Sequence, residues 1–182
     1  MITKVADVAT LVAAGKADPK PVFGEIRAFA ASGDWKVREV AATVLVELSK
    51  KHPDAVIAEL RTWSRASDEN VRRASSEGLR GLARTRFESV VPILETLNAD
   101  ASPYVRKSVA NLLRDGGKKN PMLVLDTCER WLRISGGDAN TRWIVTHGLA
   151  KIRETEPQKV AALLVPLPEK KPAAKRAPAR KQ

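Results

Sequence analysis

The feature that most constrains the fold is a repeat of about 34 residues along the whole chain. A leucine series and a valine series each recur at intervals of 34, 34, 34 and 36 residues, and an arginine series recurs at 34, 34 and 36. The series are Leu11, Leu45, Leu79, Leu113 and Leu149; Val22, Val56, Val90, Val124 and Val160; and Arg38, Arg72, Arg106 and Arg142. A fixed period of this length predicts small units that bury their apolar faces by stacking on one another.

Each unit has the pattern of two helices. Apolar residues of the first helix fall at helical spacing, as in Val37, Ala41, Val44 and Leu48. Prolines recur with the same period, at Pro19, Pro53, Pro121 and Pro157, with Phe87 at the remaining equivalent position. Pro53, Pro121 and Pro157 suit the first turn of the second helix, where the missing N–H costs no hydrogen bond.

Predicted helix starts are marked by short polar residues. Asp34, Ser102 and Asp138 precede the first helices of their units and are predicted N-caps. A short motif, Asp-x-x-Val-Arg, recurs at the start of the first helix in units two and three, as Asp34 to Arg38 and Asp68 to Arg72. This motif resembles that of HEAT repeats, and the resemblance implies that its Asp and Arg side chains form a ladder between neighbouring units.

The predicted fold class is therefore all-α, a right-handed superhelix (α-solenoid) of about five HEAT-like helical hairpins. The repeat domain is predicted to span 1–166, followed by a disordered basic Lys/Pro/Ala tail over 167–182. The predicted units are 1–32, 33–66, 67–100, 101–135 and 136–166.

The charge balance favours a polyanionic partner. The chain has 32 Lys and Arg against 21 Asp and Glu, which gives a formal net charge of +11. Nucleic acid is the commonest partner of such chains.

Cys128 is the single cysteine and falls in the apolar register of the second helices. Because one cysteine cannot form an intrachain disulfide, a disulfide framework is excluded. The expected location is cytoplasmic and nucleoid-associated, and the expected state is a monomer.

Polar residues at i, i+3 and i+7 occupy one face of the first helices in units three to five. Equivalent faces align when units stack, so we expect one continuous surface, which we call the polar stripe. A solvated face without function is the alternative. Its rows are Asn70, Arg73, Glu77, Arg80 and Arg84; Tyr104, Lys107, Asn111, Arg114, Asp115 and Lys118; and Asn140, Trp143, His147 and Lys151.

The polar members of the stripe predict phosphate contacts, since Lys and Arg bind DNA backbones without regard to sequence. The predicted DNA-binding residues are Arg73, Arg80, Arg84, Lys107, Asn111, Arg114, Lys118, His147 and Lys151.

Two carboxylates among these cations need a different role, because a carboxylate repels phosphate. Glu77 and Asp115 could stabilise the positive charge that develops on deoxyribose when the N-glycosidic bond of an alkylated purine breaks. An aromatic face such as Trp143 could stabilise the same charge. Glu77, Asp115 and Trp143 are therefore the catalytic candidates.

Two sequence stretches resemble the AlkC branch of the AlkC/AlkD DNA alkylation repair family. They are 70–80, Asn-Val-Arg-Arg-Ala-Ser-Ser-Glu-Gly-Leu-Arg, and 102–115, Ser-Pro-Tyr-Val-Arg-Lys-Ser-Val-Ala-Asn-Leu-Leu-Arg-Asp. The resemblance implies a HEAT-like DNA glycosylase that grips alkylated double-stranded DNA and removes N-alkylated purines without base flipping. It also implies that Glu77, Arg80, Asn111 and Asp115 match motif residues of the family.

A noncatalytic HEAT-like module that binds nucleic acid or protein is the rival hypothesis. It is favoured by the residues after Arg80, which read Gly-Leu-Ala-Arg-Thr where family members carry Pro-Arg-Leu-Pro-Trp. No cofactor, metal or membrane partner is predicted, because His52 and His147 lack companions at metal-ligand spacing and no 18-residue apolar run exists.

Overall fold

A computed structural model describes residues 4–135 and 137–165. Within these ranges the regular elements are helical and no strand occurs, so the all-α prediction is confirmed. Across the same residues, no helix combines the length and apolarity that a bilayer crossing requires. The tail predicted over 167–182 lies outside the described residues.

The helices fall in pairs, one pair in each predicted unit. The first helix of units three and five is interrupted partway along, after Glu77 and after Gly148 respectively, and continues as a second, shorter helix. In chain order the pairs are α1 (Lys4–Ala14) with α2 (Phe23–Ala30); α3 (Trp35–Lys51) with α4 (Pro53–Trp63); α5 (Glu69–Glu77) and α6 (Arg80–Thr85) with α7 (Phe87–Leu97); α8 (Pro103–Gly117) with α9 (Pro121–Ser135); and α10 (Ala139–Gly148) and α11 (Ile152–Thr155) with α12 (Pro157–Leu164).

The predicted N-caps are confirmed. The carboxylate of Asp34 accepts from the backbone N–H of Lys36, and that of Asp138 from the N–H of Thr141. Ser102 caps α8 through the N–H of Tyr104. These bonds satisfy backbone amides that the helix itself leaves unpaired. Each of these first helices therefore begins directly after the N-cap that the sequence predicts.

The core lies between the helix layers and is continuous from unit to unit. All five leucines of the repeat series are buried, and so is Cys128. Burial raises the pKa of the Cys128 thiol above its ordinary value.

Glycines permit close approach of neighbouring units. A Cβ on Gly78 would lie 2.8 Å from Cβ of Leu45, and one on Gly148 would lie 2.6 Å from Cδ1 of Leu113.

The arginine series does not form the Asp–Arg ladder predicted between units. Arg38 turns back instead and donates to the carbonyl oxygens of Ser32 at 2.7 Å and Gly33 at 2.9 Å. Arg72 and Arg106 make the same bonds to the residues six and five positions before them. The ladder prediction is wrong because loop carbonyls lie within reach of Arg38, Arg72 and Arg106, while aspartates of the motif accept from amides of their own helix N-termini. Arg142 donates instead to the carbonyl oxygen of Leu164 in α12.

One arginine of the series also binds an acidic residue at the end of its own unit. Arg72 donates from Nε to Oδ2 of Asp100 at 2.7 Å and from Nη2 to Oδ1 at 3.2 Å. This hydrogen bond raises the pKa of Arg72 above its ordinary value, against the opposing effect of burial. Asp100 lies outside the Asp-x-x-Val-Arg motif and is the last residue of the predicted third unit, so the bond ties the first helix of that unit to its end.

Candidate nucleic-acid interface

The polar stripe is assembled from α5, α6, α8, α10 and the residues around α11. α8 packs against α5 and α6 on one side and against α10 on the other. Six of the predicted DNA-binding residues are exposed, and Arg73, Asn111 and Arg114 are half-buried. The exposed six are Arg80, Arg84, Lys107, Lys118, His147 and Lys151. The exposed cations among them can meet an external anion, as phosphate binding requires.

Glu77 ends α5 and points into the seam between units three and four. Its side chain is only 10% exposed. Oε1 accepts a hydrogen bond of 2.9 Å from the hydroxyl of Ser108 on α8. Ser108 Oγ is in turn 2.6 Å from Oγ of the buried Ser76. The carboxylate is therefore held in place by the Ser108 hydroxyl of the fourth unit, which in turn contacts the Ser76 hydroxyl of the third.

Two arginines flank Glu77 without hydrogen-bonding it. Nη2 of Arg73 lies 3.7 Å from Oε1, and Nη1 of Arg80 lies 3.6 Å from Oε2. These separations exceed hydrogen-bond length, so the attraction is mainly Coulombic. Oε2 keeps its capacity to accept a hydrogen bond or to face a developing positive charge.

Asp115 on α8 has a different environment. It accepts from Arg80 Nε at 2.7 Å, from Arg84 Nη2 at 2.8 Å and from Lys118 Nζ at 2.8 Å. Burial opposes its ionisation, but the hydrogen bonds from Lys118, Arg84 and Arg80 outweigh burial and hold the pKa of Asp115 well below its usual range. Asp115 is thus a fully ionised, hydrogen-bonded anion.

Arg73 is less exposed than Arg80 and is held by contacts on two sides. It donates to Oε1 of Glu39 on α3 at 2.9 Å, and its guanidinium carbon lies 4.5 Å from the ring centroid of Tyr104 on α8. Arg73 therefore links units two, three and four. Arg114, next along the stripe, donates to the side-chain oxygen of Asn111 on its own helix.

Trp143 lies in a separate cluster on the fifth unit. Its ring stacks on His147 with centroids 3.8 Å apart, and the guanidinium of Arg106 lies 5.8 Å from the ring centroid. One part of the side chain packs on the apolar core. Lys151, the last cation of this row, is paired with Glu154 at 2.9 Å. The structure thus joins Glu77 and Asp115 through Arg80 and places Trp143 among other partners.

Sequence reasoning missed Ser108, Ser76 and Glu39. A signal for Ser108 was present, because the equivalent positions in units two, three and five hold Val40, Ala74 and Ile144. A hydroxyl where the repeat is otherwise apolar indicates a buried polar partner nearby. Among the described residues, no group of three or more His, Cys, Asp or Glu side chains could hold a metal ion.

Comparisons with known proteins agree with the family resemblance. Residues 25–114 match the family model for HEAT repeats, and the chain contains these repeats. Its structure is similar to that of the alkylpurine DNA glycosylase AlkC from Pseudomonas fluorescens, bound to DNA containing an abasic site analog, with a TM-score of 0.72 and 26% identity. That match covers 86% of this chain and 44% of the glycosylase chain, so the chain spans less than half of the length of that protein. No curated protein sequence matches the chain.

Proposed function

From a HEAT-repeat fold similar to that of AlkC, we propose that this chain binds alkylated double-stranded DNA along the polar stripe and excises N-alkylated purines by hydrolysis of the N-glycosidic bond. The stripe supplies the phosphate contacts. Glu77 supplies the negative charge at the reacting sugar. The observation that carries the proposal is the environment of Glu77, a nearly buried carboxylate whose Oε1 is fixed by Ser108 and whose Oε2 faces an exposed arginine.

The chemistry suits an anion held in this way. An N-alkylated purine is cationic, and when the bond between C1′ and the base breaks, the bonding electron pair neutralises the base. Positive charge then develops on the sugar as an oxocarbenium ion, which a fixed carboxylate stabilises more than it stabilises the ground state. Water adds to C1′ and releases a proton to solvent, which completes the hydrolysis.

The three catalytic candidates from the sequence do not have equal support. Glu77 keeps Oε2 beyond hydrogen-bond length from the flanking Arg80, which supports a role at the reacting sugar. Asp115 is engaged by three cations, which supports a positioning role. Trp143 stacks on His147, which supports a contact with DNA flanking the site rather than with the lesion.

Incubation of the purified chain with methylated duplex DNA, followed by quantification of released 3-methyladenine and 7-methylguanine, tests the proposal. We expect release above the spontaneous rate, and a decrease on the order of a hundredfold or more for Glu77→Gln, which keeps the shape and removes the charge. Binding of Glu77→Gln to undamaged duplex should hold or tighten.

The alternative is a noncatalytic DNA-binding module. It is favoured by the arginines on both sides of Glu77, 3.6 and 3.7 Å away, which neutralise much of its charge, and by Gly81 to Thr85 standing where the family has a tryptophan-containing run. Salt-dependent duplex binding without base release would establish this alternative.

A further inference from the structure

The polar stripe contains a group of three cations that converge on one carboxylate. We propose that Asp115 organises Arg80, Arg84 and Lys118 into a binding site for one phosphodiester group of duplex DNA, and that Asp115 is a positioning residue and not a catalytic one. This inference rests on the DNA binding in the proposed function but is independent of base excision.

The burial of the four side chains supports this arrangement. The Asp115 side chain is 2% exposed, whereas the side chains of Arg80, Arg84 and Lys118 are 46%, 48% and 51% exposed. The carboxylate therefore lies beneath the cations, and the cations face outward. An anion arriving from solvent meets the cations and not the carboxylate.

The charges of the group leave a surplus for a ligand. Three cations against Asp115 and the nearby Glu77 leave a local excess of one positive charge, which matches the single negative charge of a phosphodiester. Without Asp115 the three cations would repel one another and spread, because like charges a few ångströms apart are destabilising. The carboxylate thus lowers the cost of holding the site ready before DNA binds.

Hydrogen-bond geometry brings the cationic nitrogens close together. Arg84 Nη2 and Lys118 Nζ are each 2.8 Å from the same oxygen, Oδ1 of Asp115, while Arg80 Nε is 2.7 Å from Oδ2. Each guanidinium uses one nitrogen on Asp115 and keeps further N–H donors. The remaining donors of the three side chains are close enough together to share the oxygens of one phosphate.

The position of this site relates it to Glu77. Arg80 bonds Asp115 through Nε and lies 3.6 Å from Oε2 of Glu77 through Nη1. A phosphate held by Arg80 therefore lies beside the carboxylate proposed to act on the sugar. The phosphodiester bound here would belong to the nucleotide being attacked or to its direct neighbour.

The test is binding of the full chain to undamaged duplex DNA, measured by fluorescence anisotropy over a range of chloride concentrations. Charge counting predicts that Asp115→Asn tightens binding, since it removes a negative charge. Our proposal predicts the opposite sign, a loss of about fivefold or more, with a smaller salt slope. The matched control is Glu95→Gln, which removes a carboxylate bonded to Arg130 on the second helices and should leave affinity unchanged or slightly higher.

A second set of variants begins with Asp115 intact, so that the site is tested even if Asp115→Asn does not fold. Arg84→Ala with Lys118→Ala should lower the slope of log affinity against log salt by about one unit, the value for one phosphate contact. Adding Asp115→Asn to this pair should weaken binding little further if the three act as one site. The proposal would be overturned by a folded Asp115→Asn protein that binds as tightly as wild type, by fully additive losses, or by an unchanged salt slope for Arg84→Ala with Lys118→Ala.

Two further measurements complete the test. The first distinguishes a site for a duplex phosphodiester from a site for free phosphate, and the second separates DNA binding from base excision. Inorganic phosphate offers the oxygens of one phosphate without the neighbouring contacts of a duplex, so it should displace the duplex only in large molar excess. Displacement by phosphate at concentrations comparable to that of the duplex would mean a free-phosphate site and would overturn the duplex assignment. Base release is measured on the same preparations. Wild-type protein that releases no base but shows the predicted signs in binding would refute the glycosylase proposal and support the phosphate site.

Discussion

Ser108 on α8 donates a 2.9 Å hydrogen bond to Oε1 of Glu77 on α5, so a residue of the fourth unit fixes the carboxylate of the third. Both side chains are buried. A hydrogen bond to a buried charged group contributes about 1.5–3 kcal/mol, and its loss would let the carboxylate leave the orientation that Ser108 imposes on it.

Replacing Ser108 by Ala should therefore lower base release about tenfold or more while leaving duplex binding near the wild-type level. Single-turnover rates and binding isotherms measured together check this expectation. In a Glu77→Gln background the Ser108→Ala change should have almost no further effect.

Ser75→Ala is the matched control for that change. Ser75 is also fully buried, but its hydroxyl donates to the carbonyl of Arg72 on its own helix, at 2.6 Å. The variant should release base at the wild-type rate. Equal losses from Ser75→Ala and Ser108→Ala would show that buried hydroxyls act on the fold and not on Glu77.

The ionisation of Asp115 predicts a dependence of stability on pH. Hydrogen bonds from Lys118, Arg84 and Arg80 outweigh the opposing effect of burial and keep the pKa of Asp115 below its usual range. A carboxyl with a lowered folded-state pKa contributes stability that is present above the unfolded pKa of about 3.9 and is lost as pH falls further.

We expect the urea midpoint of wild type to exceed that of Asp115→Asn at about pH 6 and the difference to shrink progressively below about pH 4. Asp54→Asn is the control, since Asp54 pairs with Arg86 at 2.8 Å on the exposed surface. Surface pairs contribute about 0–1 kcal/mol, so the control should give a small difference at both ends of the range. If the urea midpoints of wild type and Asp115→Asn differed as much at about pH 2.5 as at about pH 6, the lowered pKa of Asp115 would be contradicted.

The loop contacts of the arginine series predict unequal effects on stability. Arg38 and Arg72 both bind two loop carbonyls, but Arg72 also pairs with Asp100, whose side chain is 6% exposed. Removing Arg72 leaves a buried carboxylate without this partner, at a cost of about 3–5 kcal/mol. Arg38→Ala removes bonds to neutral acceptors, and we expect a cost of about 1–2 kcal/mol. Urea unfolding followed by circular dichroism orders the two variants.

Replacing the buried Gly148 by Ala should change the stability of the fold in the opposite direction from the same replacement at an exposed glycine. An added Cβ would lie 2.6 Å from Cδ1 and 2.9 Å from Cβ of Leu113, so Gly148→Ala should destabilise the fold by about 1–3 kcal/mol. Gly24 lies in α2 with nothing within 4 Å of a built Cβ. Gly24→Ala should therefore stabilise by about 0.5–1 kcal/mol. Melting temperatures of the two variants should move in opposite directions.

The sequence predicts the helices well because each depends on local rules. Asp34 and Ser102 cap their helices whatever the rest of the chain does, because a cap needs only the backbone amides of the next two or three residues. The alignment of the leucine series follows from period alone. Such features need no knowledge of how one unit rotates against the next.

The candidate site is predicted less fully because its contacts cross between units. The spacing of Glu77 and Arg80 places them on one side of their helices, but the pairing of Arg80 with Asp115 joins residues 35 positions apart and depends on the rotation between α6 and α8. Trp143 has the right spacing for the polar stripe, yet its ring contacts Arg106 and His147. A residue's face can be read from periodicity, whereas its partner cannot.

Arg80 bonds Asp115 of the next unit while standing beside Glu77 of its own. The fold is modular, since helical pairs repeat, but this site is not. Recombination that exchanged one repeat for another would preserve the stack and separate the carboxylates from their cations. The smallest portable piece that carries the whole arrangement is two consecutive repeats, 67–135, and a gene duplication would have to copy both to transmit the site.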